Sequence, residues 1–391
     1  MNFSKRVSSI QPSATLAINA KAQEMRSQGE NVVSLAVGEP DFPTPAHIVQ
    51  AAKNALDEGF TRYTAVPGIP ELRQAVAGYF ARTYNIDCRF DETIVSNGGK
   101  QCLYNVLQAL MDPGDEALIP GPYWVSYPAL VQLAQGVPVI VPTEPEDNFL
   151  VKPDNLEKHV TRKTRFLILN TPSNPTGCHY SQAALNELAK WAASRDIFVI
   201  SDEIYDQLVY SPAKPASLCG FWSENKDKVA VVNGLSKTFA MTGWRVGYVL
   251  AHVDLIRSMS RIQGQSTSNI CSIAQKGALS ALTGPFSFIE EMKKAFIPRR
   301  DMAVEIINSW KGAYCPKPEG AFYVFPRLDS FFKGEIDSST RLCQVILERA
   351  KVALVPGAAF GDDRCIRFSY AVNEKVLREC LEKIGNLLET L

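Results

Sequence analysis

Two runs, Phe166-Leu-Ile-Leu-Asn170 and Ile197-Phe-Val-Ile-Ser201, are almost wholly apolar and stand one helix apart. A strand covered on both faces has no solvent side, so its sequence reads as a continuous apolar run. Between them, Ser181–Ser194 opens on a serine suited to cap a helix and carries apolar residues at helical spacing. Strand, helix and returning strand make a parallel crossover. Similar short runs occur at Thr93–Ser96, Ala117–Pro120, Val137–Val141, Val229–Asn233 and Val246–Leu250, and Gln101–Met111 reads as a helix after a Gly-Gly pair. The pattern predicts an α/β fold, a mostly parallel sheet with helices on both sides.

The ends of the chain read differently. Ala46–Glu58 and Ile69–Tyr84 are amphipathic helix candidates joined by a turn-rich segment. A long helical stretch runs from Pro285 to about Trp310, followed by β runs at Ala321–Phe325 and Cys365–Tyr370 and a last helix at Glu374–Thr390. The expected organisation is an N-terminal segment (1–45) packed with a small C-terminal α+β domain (291–391), and a large domain between them (46–290).

Composition narrows the function. The 391 residues carry 41 basic and 41 acidic side chains, so no basic excess marks a nucleic-acid binder. No apolar run is long enough to span a bilayer. The N-terminus lacks the apolar core of a secretory signal, and a cytoplasmic protein is expected. Nine cysteines, an odd number without C-x-x-C spacing, read as reduced thiols. The four histidines are scattered, which argues against a metal site.

Chemistry concentrates in four segments. In Asn233-Gly-Leu-Ser-Lys237-Thr-Phe-Ala-Met-Thr-Gly-Trp-Arg245-Val-Gly, a lysine follows a strand end and lies among apolar residues. Desolvation there lowers an amine's pKa and makes it a nucleophile. Ser236 and Arg245 are suited to hold a phosphate between a hydroxyl and a charged fork; the plainer reading of the lysine is a solvated loop charge. Asp202 ends the strand at 197–201, where ligands bind in open α/β sheets. It reads either as the cap of a following helix or as the partner of a buried cation, with Tyr205 three residues on. Gly98-Gly99-Lys100 opens a helix after a strand, an arrangement in which backbone N–H groups can meet an anion. It is not a Walker A loop, and no G-x-G-x-x-G is present. Asn174-Pro-Thr-Gly177 is a turn beyond the strand at 166–170 that can aim an amide at a ligand.

Together these motifs resemble the class I aminotransferases, fold-type I enzymes that use pyridoxal 5'-phosphate. The resemblance runs from Val33-Ser-Leu-Ala-Val-Gly-Glu-Pro-Asp41 to the last helix. It is strongest to the bacterial aspartate aminotransferase subgroup, through Gly-Gly-Lys-Gln at 98–101, Pro-Tyr-Trp-Val-Ser-Tyr-Pro at 122–128 and Ala-Met-Thr-Gly-Trp-Arg at 240–245. It implies a seven-stranded large-domain sheet and a Schiff base between Lys237 and the cofactor. Asp202 would face the ring nitrogen, Tyr205 and Asn174 the phenolic oxygen, and Trp124 the ring face. The phosphate would sit on Gly98, Gly99, Lys100, Ser236 and Arg245, with Tyr63 reaching it from the second subunit of a homodimer. Arg367 and Gly38 would bind the substrate α-carboxylate, with Trp124 and Asn174 close by, and Lys100 the distal carboxylate of a dicarboxylic substrate.

The expected activity moves the amino group of aspartate or glutamate to 2-oxoglutarate or oxaloacetate. Aromatic amino acids and prephenate are alternative substrates on the same scaffold. Pro12-Ser-Ala-Thr15 resembles the substrate-side segment of prephenate-using relatives, although Gln11 stands where they frequently carry lysine. A carbon–sulfur β-lyase would use the same Lys237, Asp202 and Arg367, whereas Lys100 and the Pro-Tyr-Trp run favour transamination. A non-enzymatic regulator would need an added basic DNA-binding segment. The partners expected are amino and 2-oxo acids, with no nucleic acid and no membrane.

Overall fold

The computed structural model describes residues 1, 3–8, 10, 14–210 and 215–391; Gln11, Pro12 and Ser13, from the segment compared with prephenate-using relatives, lie outside the described residues. Its largest sheet has seven strands. Across it they run Thr93–Asn97, Val246–Leu250, Val229–Gly234, Phe198–Asp202, Thr164–Asn170, Glu116–Pro120 and Val137–Val141. Pairing is parallel throughout except at Val246–Leu250, which is antiparallel to both neighbours. All seven predicted runs are strands, with limits moved by at most two residues.

Alternation explains why these runs are apolar on every residue. Leu167, Leu169, Val199, Val231 and Tyr248 lie in one buried cluster with the helix Gln182–Ala193. Phe166, Ile168, Ile200, Val232 and Val249 lie in another, with the helix Gly99–Leu110. Successive side chains of each strand enter opposite layers, so both layers need apolar residues. The Gln182–Ala193 helix starts where the sequence indicates: the Ser181 hydroxyl accepts from the Ala184 N–H at 3.2 Å. Pro70 begins the helix Pro70–Tyr84, and Asn85 ends it in the left-handed conformation.

A third cluster gathers the C-terminal third. The helices Ser287–Ser309, Ser339–Ala350 and Glu374–Leu388 pack with the antiparallel strands Val355–Pro356, Ile366–Ser369 and Tyr323–Val324. Leu35 belongs to this cluster, because Val33–Ser34 pairs in parallel with Val352–Ala353. Leu208 and Tyr205, from the turn after Phe198–Asp202, reach it from the large sheet's side.

Of the two readings of Asp202, the structure removes the helix cap. Residues 204–207 form a turn, so Asp202 does not cap a helix. Its carboxylate accepts from the Ile204 N–H at 3.3 Å, a local bond of the kind that competes with helix.

In Val246–Leu250, Gly247 lies against the Gly98–Gly99 peptide, and a Cβ there would overlap the Gly98 carbonyl carbon and the Gly99 nitrogen. Gly247→Ala should therefore lower stability by about 1–3 kcal/mol, the usual cost of overpacking. Urea unfolding should show a lower midpoint at unchanged slope.

Candidate active site

The carboxyl ends of five strands open on one cavity, Glu116–Pro120 leading to Trp124 and Tyr127. Thr93–Asn97 leads to Gly99 and Lys100, Thr164–Asn170 to Asn170 and Asn174, Phe198–Asp202 to Asp202 and Tyr205, and Val229–Gly234 to Ser236 and Lys237. The N-terminal segment adds Gly38 and Glu39, and the C-terminal region adds Tyr323 and Arg367. The cavity measures about 430 Å³, enough for a drug-sized ligand.

Lys237 lies in the short helix Leu235–Thr238, directly after a fully buried strand. Its ammonium donates to the Gly38 carbonyl at 2.5 Å. Burial pulls its pKa down to about 8, Arg367 and Arg245 push the same way, and Glu39 and Asp202 only partly oppose them. At neutral pH roughly one amine in ten is then uncharged, several hundred times the fraction of a solvated lysine. That is the condition for a nucleophilic amine.

Asp202 is 5% exposed. It takes the Tyr127 hydroxyl at 2.7 Å, and the Asn170 amide donates to its backbone carbonyl at 2.9 Å. Burial lifts its carboxyl to about 6 against the opposing effects of Tyr127, the Ile204 N–H and Lys237. A carboxylate held this way gains from any cation that enters the cavity.

Arg367 is 2% exposed and has no acidic partner among the described residues. It donates to Asn174 Oδ1 at 2.9 Å and to the Ala36 carbonyl at 2.6 Å, while its Nε has no partner. Burial lowers its pKa, and the rings of Tyr323 and Phe360 lie 4.5 Å and 5.0 Å from its guanidinium carbon. With Asn174 Oδ1 so engaged, the Asn174 NH2 group is left to donate elsewhere.

Lys100 lies 5.0 Å from the Trp124 ring centroid, and burial followed by Arg245 lowers its pKa. Arg245 donates to the Thr242 carbonyl at 2.9 Å and lies over Gly98, where a Cβ would collide with its guanidinium. Neither cation has an acidic partner among the described residues. The lining holds four cations, Lys100, Lys237, Arg245 and Arg367, but only Glu39 and Asp202 as acids. Such an excess fits anionic ligands.

The residues predicted from sequence thus converge, with two exceptions. Gly98 supports Arg245 but does not line the cavity. Tyr63 is 90% exposed and does not line the cavity of its own chain. Sequence reasoning missed Tyr127, Asn170 and Tyr323. Tyr127 had a signal, standing three residues after Trp124 in a quoted motif. Tyr323 had none, being one aromatic among several in Ala321–Phe325.

The donor set also fits pyridoxal 5'-phosphate on physical grounds. The N–H groups at the start of Gly99–Leu110, with Ser236, Lys100 and the uncompensated Arg245, suit a phosphate dianion. Asp202 suits a protonated ring nitrogen, and Lys237 an aldehyde.

Comparison with known proteins shows the family. The family described as aminotransferase class I and II matches residues 30–384. Over all of this chain and 99% of theirs, it is 41% identical to an aspartate aminotransferase of Bacillus subtilis and 43% identical to a probable aspartate/prephenate aminotransferase of Rickettsia typhi. A solved aspartate aminotransferase from Thermus thermophilus with maleate superposes at a TM-score of 0.94, with 41% identity over 99% of this chain and 100% of that one. The matched residues take in every element that lines the cavity, and the chain belongs to the class I and II aminotransferases, enzymes that transfer amino groups.

Proposed function

We propose that the chain is a pyridoxal 5'-phosphate-dependent transaminase that takes the amino group of aspartate or glutamate and passes it to 2-oxoglutarate or oxaloacetate. One observation carries this reading: a half-buried lysine with a depressed pKa shares a cavity with a buried carboxylate and three further cations. The cofactor, when bound, supplies an electron sink for the carbanion formed at the substrate Cα.

Each residue then has a task. The uncharged Lys237 amine is the nucleophile toward the cofactor aldehyde and later moves the proton to and from the substrate Cα. Asp202, kept in place by Tyr127 and Asn170, holds the proton on the ring nitrogen. Tyr205 and the Asn174 amide donate to the phenolic oxygen, and Trp124 covers the ring face. Gly99, Lys100, Ser236 and Arg245 cradle the phosphate, with Gly98 beneath the Arg245 guanidinium. Tyr63 reaches it from the partner of a homodimer, in keeping with its exposure here. Arg367 and Gly38 bind the α-carboxylate, which orients the Cα–H bond toward Lys237. Lys100 meets the distal carboxylate; that the Thermus thermophilus neighbour was solved with the dicarboxylate maleate supports a dicarboxylic ligand for the site.

We further place the domain limits at 1–45, 46–290 and 291–391, in keeping with the separate C-terminal cluster, and the protein in the cytoplasm, in keeping with nine free cysteines. Prephenate or aromatic substrates are the second reading. The names of several relatives favour it, as does a Lys100 whose ammonium is a point charge rather than a fork.

Three outcomes are expected. Mixed with pyridoxal 5'-phosphate, the apoprotein should gain visible absorbance at a rate that rises with pH about a midpoint near 8, because the amine reacts only once deprotonated; a midpoint near 10.5 would contradict a desolvated Lys237. Asp202→Ala should keep the absorbing complex yet lose activity by at least about a hundredfold, the scale for a misplaced electrostatic group. Lys100→Ala should lower kcat/KM for aspartate about tenfold more than for phenylalanine, one charged contact being about 1.4 kcal/mol or more; equal losses would remove the dicarboxylate assignment.

A further inference from the structure

Tyr323 is fully buried, yet its side chain lines the cavity between three groups with separate tasks. Its hydroxyl lies 3.0 Å from the Tyr205 hydroxyl. Its ring covers the Arg367 guanidinium with 4.5 Å between ring centroid and guanidinium carbon. It also closes on Gly38, where a Cβ would stand 2.8 Å from the phenolic oxygen. The strand register makes the Arg367 contact obligatory. Tyr323 pairs with Ser369, and Arg367 lies two residues before Ser369 on the same face, so the two side chains are diagonal neighbours.

The Arg367 fork has two acceptors in its plane, the Asn174 side chain and the Ala36 carbonyl, and no counter-charge. Two rings lie against the guanidinium, Tyr323 the nearer and Phe360 the farther. On the other side of Tyr323, either hydroxyl can donate across the 3.0 Å contact in the free site; once Tyr205 gives its O–H to a ligand, the Tyr323 hydroxyl becomes the donor to Tyr205 Oη and strengthens that donation, because chained hydrogen bonds polarise one another.

We propose that Tyr323 is a positioning residue with two separable parts: a ring that holds the substrate-carboxylate clamp, and a hydroxyl that strengthens the Tyr205 donor toward the cofactor's phenolic oxygen. This rests on the proposed pyridoxal 5'-phosphate reading. The charged groups acting on the two phenols are Arg367, Asp202 and Glu39, and neither variant below alters them.

The test compares Tyr323→Phe and Tyr323→Leu as holoenzymes. Two quantities are read: the pH midpoint of the bound cofactor's visible absorbance, and the Kd for maleate, an unreactive dicarboxylate, from the change in that absorbance. Tyr323→Phe keeps the ring. It should move the midpoint upward by a few tenths of a pH unit, since a weakened Tyr205 donor stabilises the deprotonated form less, and should change the maleate Kd less than about twofold. Tyr323→Leu should raise the maleate Kd about tenfold, the loss of a desolvated cation–ring contact and its restraint. An unmoved midpoint in Tyr323→Phe overturns the role of the hydroxyl. A maleate Kd raised equally in both variants, or in neither, overturns the role of the ring. If the wild type itself forms no absorbing complex, the proposed function fails and this inference with it; variant failures beside an absorbing wild type overturn this inference alone.

Discussion

Desolvation of the Lys237 amine is the constraint on which the site depends. A lysine at the end of a buried strand, beside two arginines, carries a penalty for its charge that Glu39 and Asp202 only partly offset. The strands before and after, Val229–Gly234 and Val246–Leu250, are buried at every residue, so water reaches the amine only from the cavity side. The sheet therefore does more than carry the lysine. By excluding solvent from its base, it sets the protonation state that the chemistry needs.

Behind Asp202 the chain keeps two more buried acids, Glu203 and Asp206, and it treats all three alike. Glu203 takes the Ser201 hydroxyl at 2.7 Å, the Ser217 hydroxyl at 2.5 Å and the Leu218 N–H at 2.9 Å, with burial pushing its carboxyl up to about 7. Asp206 takes the hydroxyls of Tyr79 and Tyr84, the latter at 2.7 Å. Asp202 takes Tyr127. Among the described residues none of the three has a cationic partner. Hydroxyl donors satisfy a carboxylate without bringing a second desolvated charge, which would carry its own penalty. They also leave Asp202, the one acid of the three that lines the cavity, unclaimed by any protein cation.

The sequence showed those parts of the fold that repeat and hid those that meet once. The seven strand runs were legible because a two-sided sheet demands apolar residues in succession. The Gln182–Ala193 helix was legible because its cap and its periodicity agree. Lys237, Asp202 and Asn174 were legible because each directly follows a strand. The strand Val33–Ser34 was not, since two residues are too few to show a period and its partner, Val352–Ala353, lies more than 300 residues away. Tyr323 was hidden for a related reason. Its importance comes from a register between Tyr323–Val324 and Ile366–Ser369, and nothing within either run states which residues will face each other. The turn at 204–207 left two readings of Asp202 open in the sequence, because an acid after a strand is as good a cap as it is a ligand.

That hidden short strand has a chemical consequence. Its pairing with Val352–Ala353 continues through Leu35, whose N–H donates to the Ala353 carbonyl at 2.9 Å and whose carbonyl accepts from the Ser369 N–H at 2.8 Å. This fixes the direction of the residues that follow. Ala36 then presents its carbonyl to Arg367, and Gly38 presents its own to Lys237. Two backbone dipoles thus meet two cations that have no carboxylate partners of their own. A carbonyl is a weaker counterpart than a carboxylate, since it carries no net charge, so it satisfies the buried cation without competing on equal terms with an anionic substrate. The free site can remain folded with its cations uncompensated, and the arriving carboxylate still gains the full charged interaction. The segment performs this role because it is backbone held in register, and at Gly38 a side chain would meet the Tyr323 hydroxyl, with a Cβ 2.8 Å from it.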